Sequence, residues 1–239
     1  LGTTYDYGGV QLYLQFDGPQ QAGQQALRGA DLRATREKTL QRCSQMSLPV
    51  TLAMTVNRDN LPNLWDAVQF GLSFDNIRGI SFQPMFYSGR APATNLPRLN
   101  TADIILSLVA QANGGLSFDD FTPLPCGDPN CATIGYLIKT PEGIRSVSHF
   151  VDFAQVQGFL RDKIRYNLDD LSRCGCESEP LGQLLHDFEL DEHHTFRLFI
   201  KPFMDSSDWD EDRIDRCCTH VIRPDGKLDS FCRYYSTDS

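Results

Sequence analysis

The sequence predicts an α/β fold built on a parallel sheet and continued by an α+β, cysteine-rich part. Three observations carry this. Strand-like and helix-like segments alternate β-α-β-α-β from residue 10 to residue 85, a pattern that calls for right-handed crossovers between parallel strands. "PVTLAMTV", residues 49–56, is apolar at nearly every position, as a strand covered on both faces must be. Beyond residue 116 the texture turns Pro- and Gly-punctuated and gathers cysteine.

Taken in order, "VQLYLQF" (10–16) is β-branched and aromatic and stops at Asp17-Gly18, a strand-then-turn signature. "DLRATREKTLQRCSQMS" (31–47) predicts a helix with Leu32, Thr39, Leu40 and Cys43 on one face. After the strand 49–56, "NLPNLWDAVQFGLS" predicts a second helix and "RGISFQPM" a third strand. Three strands are too few to close a barrel, so the first part is a small open sheet or a barrel fragment. "LNTADIILSLVAQANGG" gives a further helix, capped by Asn100 or Thr101 and stopped at Gly114.

A boundary falls near residue 116, dividing 1–115 from 116–239. In the second part "IGYLIKTPEGIRSVSHFV" reads as a hairpin turned at Pro141-Glu142-Gly143. Helices are expected at "FVDFAQVQGFLRDKIR" and "LGQLLHDF", a strand at "FRLFIKPF", and a last hairpin in "THVIRPDGKLDSFC" around Asp225-Gly226.

At 239 residues the chain can bury a core without covalent staples. Its 22 basic and 31 acidic residues give a formal charge of −9, which disfavours nucleic acid and anionic membrane surfaces as partners. No apolar run approaches the roughly 20 residues of a membrane span, and the N-terminus lacks a signal-like pattern. The expectation is a soluble, cytoplasmic protein. The chain opens on Leu1 and enters a strand-like segment at residue 10, which suggests the later part of a longer protein.

Eight cysteines need an account. Cys43 lies on a helix face and reads as a small buried hydrophobe. Cys126, Cys131, Cys174, Cys176, Cys217, Cys218 and Cys232 lie in loops and beside turns, where ligands sit. Secreted disulfide frameworks belong to small domains with weak cores, unlike this chain. Zinc favours paired C-x2-C knuckles, whereas the spacings here are C-x4-C, C-x-C, C-C and a distant single cysteine. An iron-sulfur cluster takes four thiolates from irregular spacing, which suits Cys126, Cys131, Cys217 or Cys218, and Cys232. Adjacent side chains diverge along an extended backbone, so one of Cys217 and Cys218 ligates while the other packs, or they serve two centres.

"VQLYLQFDG", "LRG", "VTLAMTVNRDN", "IRGISFQPMFYSGR", "PLPCGDPNCATIGY" and "FMDSSDWDEDRIDRCCTHVIRPDGKLDSFCRYY" together resemble the radical S-adenosylmethionine (SAM) superfamily. Within it they are most similar to the branch containing the archaeal tetraether lipid synthases and related bacterial proteins. The resemblance implies a partial (β/α)6 barrel, of which this chain supplies the C-terminal half, the fourth to sixth strands. It also implies an enzyme in which a C-x3-C-x2-C cluster cleaves SAM to a 5′-deoxyadenosyl radical that attacks an unactivated C–H bond, here of a lipid-like substrate. No C-x3-C-x2-C occurs in the sequence, so the catalytic cluster is expected in a missing N-terminal half of the same enzyme, with an electron donor as a further partner.

Barrel active sites form at the C-terminal ends of strands, which are here Gln15 and Asp17, Thr55, Asn57 and Arg58, and Gln83 and Pro84. Of these, Gln15, Asp17, Thr55, Arg58 and Gln83 are the expected SAM-binding residues: Asp17 or Gln15 at the ribose or amino group, Arg58 at the carboxylate. The plainer readings are a turn at Asp17-Gly18 and a cap at Asn57. Arg90 is a candidate for an anionic substrate group or for a carboxylate of its own chain. Cys126, Cys131, Cys217, Cys218 and Cys232 are the expected ligands of an auxiliary 4Fe-4S cluster, while Cys174 and Cys176 fall outside the pattern. His193-His194 read as solvated, and "DSSDWDEDRID" as an acidic helix start. The competing reading is a non-catalytic iron-sulfur or zinc-binding module for electron transfer or interaction.

Overall fold

The computed structural model describes residues 11–87, 98–124, 127–140, 143–150 and 194–236. The elements in chain order are β1 (Leu12–Gln15), α1 (Gln21–Arg28), α2 (Arg33–Gln45), β2 (Val50–Val56), α3 (Leu64–Leu72), β3 (Ile77–Pro84), α4 (Thr101–Gln111), β4 (Thr122–Pro123), β5 (Thr133–Thr140), β6 (Gly143–Ser146), β7 (Thr195–Ile200), α5 (Glu211–Asp215), β8 (His220–Ile222), β9 (Leu228–Ser230) and α6 (Phe231–Ser236). The helices expected at 150–165 and 181–188 lie outside the described residues.

Seven strands form one sheet in the order β1-β2-β3-β7-β5-β4, with β6 also paired to β5. β1, β2, β3 and β7 are mutually parallel; β5 is antiparallel to β7, β4 and β6. The path is open between β1 and β4 among the described residues, and it runs across residue 116. β8 and β9 make the separate hairpin expected at Asp225-Gly226, with Gly226 at φ 78°.

Alternation of side chains along each strand sorts the sheet into two unlike faces. Leu52, Met54, Val56, Ile80, Phe82, Phe196, Leu198 and Ile200 point to one face and are fully buried, under Leu40 and Cys43 of α2, Leu64, Ala67 and Val68 of α3, and Ile104 and Leu108 of α4. The register puts Tyr13, Gln15, Thr51, Thr55, Ser81, Gln83, Arg197 and Tyr136 together on the other. That face mixes these groups with Ala53, Phe199 and Ile134, and the apolar one receives α2, α3 and α4.

One glycine permits the packing of α3. A Cβ at Gly71 would stand 2.8 Å from the Phe196 ring, so its absence lets α3 settle onto β7. Asn100 caps α4 as the sequence indicates, in a capping box with Asp103. α1 was not foreseen: its sequence, QAGQQALR, offers no apolar stripe, and it is held instead through buried Gln24. The Gln24 amide donates to the Phe16 and Gly18 carbonyls and accepts from the Leu32 N–H. In α2 the buried stripe is Arg36, Leu40 and Cys43, with Arg36 in the place the sequence reading gave to Leu32.

Among the described residues, no helix is long and apolar enough to cross a membrane.

Candidate functional site

The parallel strands all end on one edge of the sheet, and two groups of polar side chains stand along it. The first is built on Asp17. The chain leaves β1 through Asp17 at φ 60° and Gly18 at φ 98°, a left-handed turn that folds the Asp17 side chain inward, where it is 1% exposed. Arg28, the last residue of α1, meets it with Nε at 2.7 Å and Nη2 at 3.1 Å, a paired contact that suits a planar fork. Arg36 adds Nη2 at 3.1 Å while its Nη1 donates to the Phe16 carbonyl at 2.6 Å. The Thr55 N–H and the Gln15 amide donate to Asp17 Oδ1 at 3.1 and 2.6 Å.

Burial alone would push the Asp17 carboxyl up, but the hydrogen bonds and charge of Arg28, with those from Thr55 and Gln15, hold it below the ordinary carboxylate range. Asp17 is thus an ionised, fully engaged anchor. The group left facing outward is the Arg28 guanidinium, whose side chain is 35% exposed and whose Nη2 also reaches Thr55 Oγ1 at 3.2 Å. Three of the expected residues, Gln15, Asp17 and Thr55, therefore share one network. Gln83 lies on the same face and donates to the Tyr13 hydroxyl at 2.7 Å. Arg58 stands exposed on the turn after β2, where Asn57 caps the next turn by accepting from the Asp59 and Asn60 N–H groups.

The second group is the sulfur cleft. The β4–β5 connection, the end of β7 and the start of α6 meet on the same edge, since Thr133 at the start of β5 pairs with Ile200 at the end of β7. Cys131, Cys217 and Cys232 line a narrow cleft together with Lys201, Arg213, Phe203 and Phe231. Each sulfur receives an N–H: Cys131 Sγ from Arg213 Nη2 at 3.8 Å, Cys217 Sγ from the Thr219 amide at 3.4 Å, and Cys232 Sγ from the Met204 amide at 3.4 Å. Burial pushes the Cys232 thiol up, and the neighbouring Cys217 and Cys131 add to this.

The loop carrying Cys131 is clasped to the segment carrying Cys217. Asp128, 3% exposed, takes Arg216 at 2.7 Å. Gly127, at φ 76°, comes so close that a Cβ there would be 2.6 Å from the Arg216 carbonyl oxygen and 3.4 Å from Cys218 Sγ. Cys217 thus turns into the cleft with Cys131 and Cys232, and Cys218 turns toward Gly127. Cys126, the residue before Gly127, lies outside the described residues, as do Arg90, Cys174, Cys176 and His193.

Among the described residues no three His, Cys, Asp or Glu side chains are grouped as ligands of one metal ion. The three thiols approach the cleft from separate segments, each within reach of an N–H. The acidic run near residue 210 serves the backbone: Asp210 caps α5 by accepting from the Arg213 N–H, and Asp208 accepts from the Asp205 N–H.

Sequence reasoning missed Arg28 and Arg36, because an arginine on a helix carries no local mark of its partner. Gly29, left-handed at φ 71°, is the one local signal that a helix ends there.

No family model matches the chain. It is 26% identical to the 7,8-dihydro-6-hydroxymethylpterin dimethyltransferase of Methanocaldococcus jannaschii over an alignment of 285 residues, which covers 93% of this chain and 55% of the relative. The chain therefore spans about half the length of the curated relative it matches. That relative's name carries no link to the tetraether lipid synthase branch.

Proposed function

We propose that the chain is the C-terminal part of a radical SAM enzyme, with 1–115 as the second half of the partial barrel and 116–239 as a domain holding an auxiliary 4Fe-4S cluster. The observation that carries this reading is the convergence of Cys131, Cys217 and Cys232, each with an N–H on its sulfur, on the sheet edge that also bears the Asp17 network. Cys126, which precedes Gly127 in the sequence, would be the fourth thiolate. A bound cluster supplies one-electron chemistry at the cleft; SAM, cleaved at the catalytic cluster of the N-terminal half, supplies the 5′-deoxyadenosyl radical that breaks a substrate C–H bond.

The chain's own part is to bind and orient. Asp17 fixes Arg28 so that its guanidinium stands ready for the carboxylate of SAM, and Gln15, Thr55 and Gln83 offer amide and hydroxyl groups to the sugar and amino group. In this arrangement Arg28 takes the carboxylate role expected of Arg58, and Asp17 acts through Arg28.

The lipid-like substrate of the family resemblance would need an apolar lining. The other face carries Tyr13, Gln83 and Arg197, with Thr51 and Ser81 buried among them beside Phe199 and Ile134, and its polar groups favour a polar heterocycle. A reduced pterin, the substrate class in the relative's name, is the reading this supports, with methylation of that ring as the reaction.

The test is anaerobic expression with and without the upstream half, followed by iron and sulfide analysis and product chromatography. The reading expects brown protein with about four irons per cluster, 5′-deoxyadenosine from the longer chain, and more of it with a dihydropterin than with a lipid. Colourless protein loaded with zinc would overturn it in favour of a zinc-stabilised module, and iron without 5′-deoxyadenosine in favour of an electron-transfer module.

A further inference from the structure

Two cationic side chains at the sulfur cleft meet no carboxylate among the described residues. Arg213 Nη2 donates to the Asn130 and Pro202 carbonyls at 3.4 Å each and to Cys131 Sγ at 3.8 Å, and its buried Nε has no partner. Its neighbours behave otherwise: Arg216 takes Asp128, and Arg233 takes Glu211 and Asp215. Lys201 Nζ reaches the Thr219 hydroxyl at 3.4 Å and stands 5.7 Å from the centre of the Phe203 ring. Neither the Arg213 guanidinium nor the Lys201 ammonium pairs with a carboxylate among the described residues, in a chain with 31 acids to 22 bases.

A half-buried cation surrounded only by neutral acceptors keeps most of its desolvation cost, so such an arrangement is stable when an anion occupies the gap. The groups in that gap are three sulfurs. Phe203 and Phe231, with ring centres 4.4 Å apart, wall the same cleft, and charges interact more strongly beside such low-dielectric walls.

We infer that Arg213 and Lys201 are the built-in counter-charge of the thiolate-held centre, set to raise its reduction potential. The inference rests on the cluster proposed above. Adding an electron makes that centre more negative, and fixed positive charge together with a hydrogen bond to sulfur favours the reduced form. Arg213 acts by both routes, through its charge and its donation to Cys131 Sγ. Lys201 acts by charge alone. Both are positioning residues, since they touch ligand residues and neither substrate nor SAM.

The experiment is a redox titration of the reconstituted 239-residue chain, followed by electron paramagnetic resonance, in wild type, Arg213→Gln, Arg213→Lys and Lys201→Gln. The chain lacks C-x3-C-x2-C, so the signal reports the auxiliary centre alone. At the wild-type midpoint, Arg213→Gln is expected to lower the reduced-to-oxidised ratio about tenfold, equal to about 59 mV for a one-electron couple. Lys201→Gln shifts it the same way by less, and Arg213→Lys restores part of the loss. Iron content stays at the wild-type value throughout. Unchanged midpoints with full iron overturn the inference and leave the proposed function standing; a wild-type chain that takes up no iron overturns both. Should Arg213→Gln unfold, an unchanged midpoint in Lys201→Gln is enough to overturn the inference.

Discussion

The Cβ that Gly79 lacks would stand 2.4 Å from the carbonyl oxygen of Arg197. Those two residues are register partners in the β3–β7 pair, so the missing methyl is what lets the late strand β7 join the three early strands. Gly79→Ala forces backbone against backbone, which side-chain rotation cannot relieve. We expect a loss of about 3 kcal/mol, at the upper end of overpacking costs. Denaturant midpoints measure it, and faster hydrogen exchange at Ile80 and Phe199 would locate it at this pair. Wild-type stability in Gly79→Ala would mean that the two strands are farther apart than described.

Asp17→Asn should cost about 3 to 5 kcal/mol, the penalty for removing one partner from a buried ion pair. It leaves Arg36, with a side chain 9% exposed, facing Arg28 without a carboxylate between them. Arg28→Gln should cost much less, because its side chain is 35% exposed and can be hydrated. Chemical denaturation of the two variants side by side tests the order, and equal losses would contradict it.

The pH dependence follows from the same carboxylate and from Asp205. Burial would raise the Asp205 carboxyl, but hydrogen bonds from Arg98, Tyr87 and Ser207 hold it low. Both folded-state values thus lie under the ordinary 3.8. A depressed carboxylate stabilises the fold fully above its unfolded value and loses that contribution as pH falls through the folded one. The thermal midpoint should therefore be level near neutrality and drop steadily as pH falls through and below the ordinary carboxylate range. Asp17→Asn should flatten part of that drop, and an unaltered slope in the variant would assign the acid sensitivity elsewhere.

If the auxiliary cluster is as proposed, Cys217→Ser should abolish most of the bound iron and Cys218→Ser should leave it in place. Iron analysis and visible absorbance of the two reconstituted proteins distinguish them. The reverse result would mean that the loop holding Gly127 turns on cluster binding.

Segments that bury an apolar face announced themselves: β2, α3, β3 and α4 were legible because their core contacts repeat at strand or helix spacing. α1 was not, since its anchor is the single polar side chain of Gln24, and a glutamine in the core looks locally like one in solvent. The Asp17 network was half legible. Its strand-end members follow from where β1, β2 and β3 stop, but Arg28 and Arg36 come to Asp17 only because the backbone turns left-handed there. In the sulfur cleft the cysteines were visible at once. Choosing Cys217 over Cys218 required Gly127, whose close approach to Arg216 spans almost ninety residues and leaves no periodic trace. The place of β7 between β3 and β5 was likewise hidden, because strand order depends on long-range fit such as that of Gly79 with Arg197.

The sheet edge also acts as a ruler. The Asp17 network sits at the tip of β1 and the sulfur cleft at the tip of β7, three strand spacings away, or about 14 to 15 Å. Hydrogen-bonded ladders join every intervening pair, so no hinge exists along this edge by which the two ends could approach each other. A molecule that touches both must itself reach that far, and selection among ligands would then turn on their length as much as on their polarity.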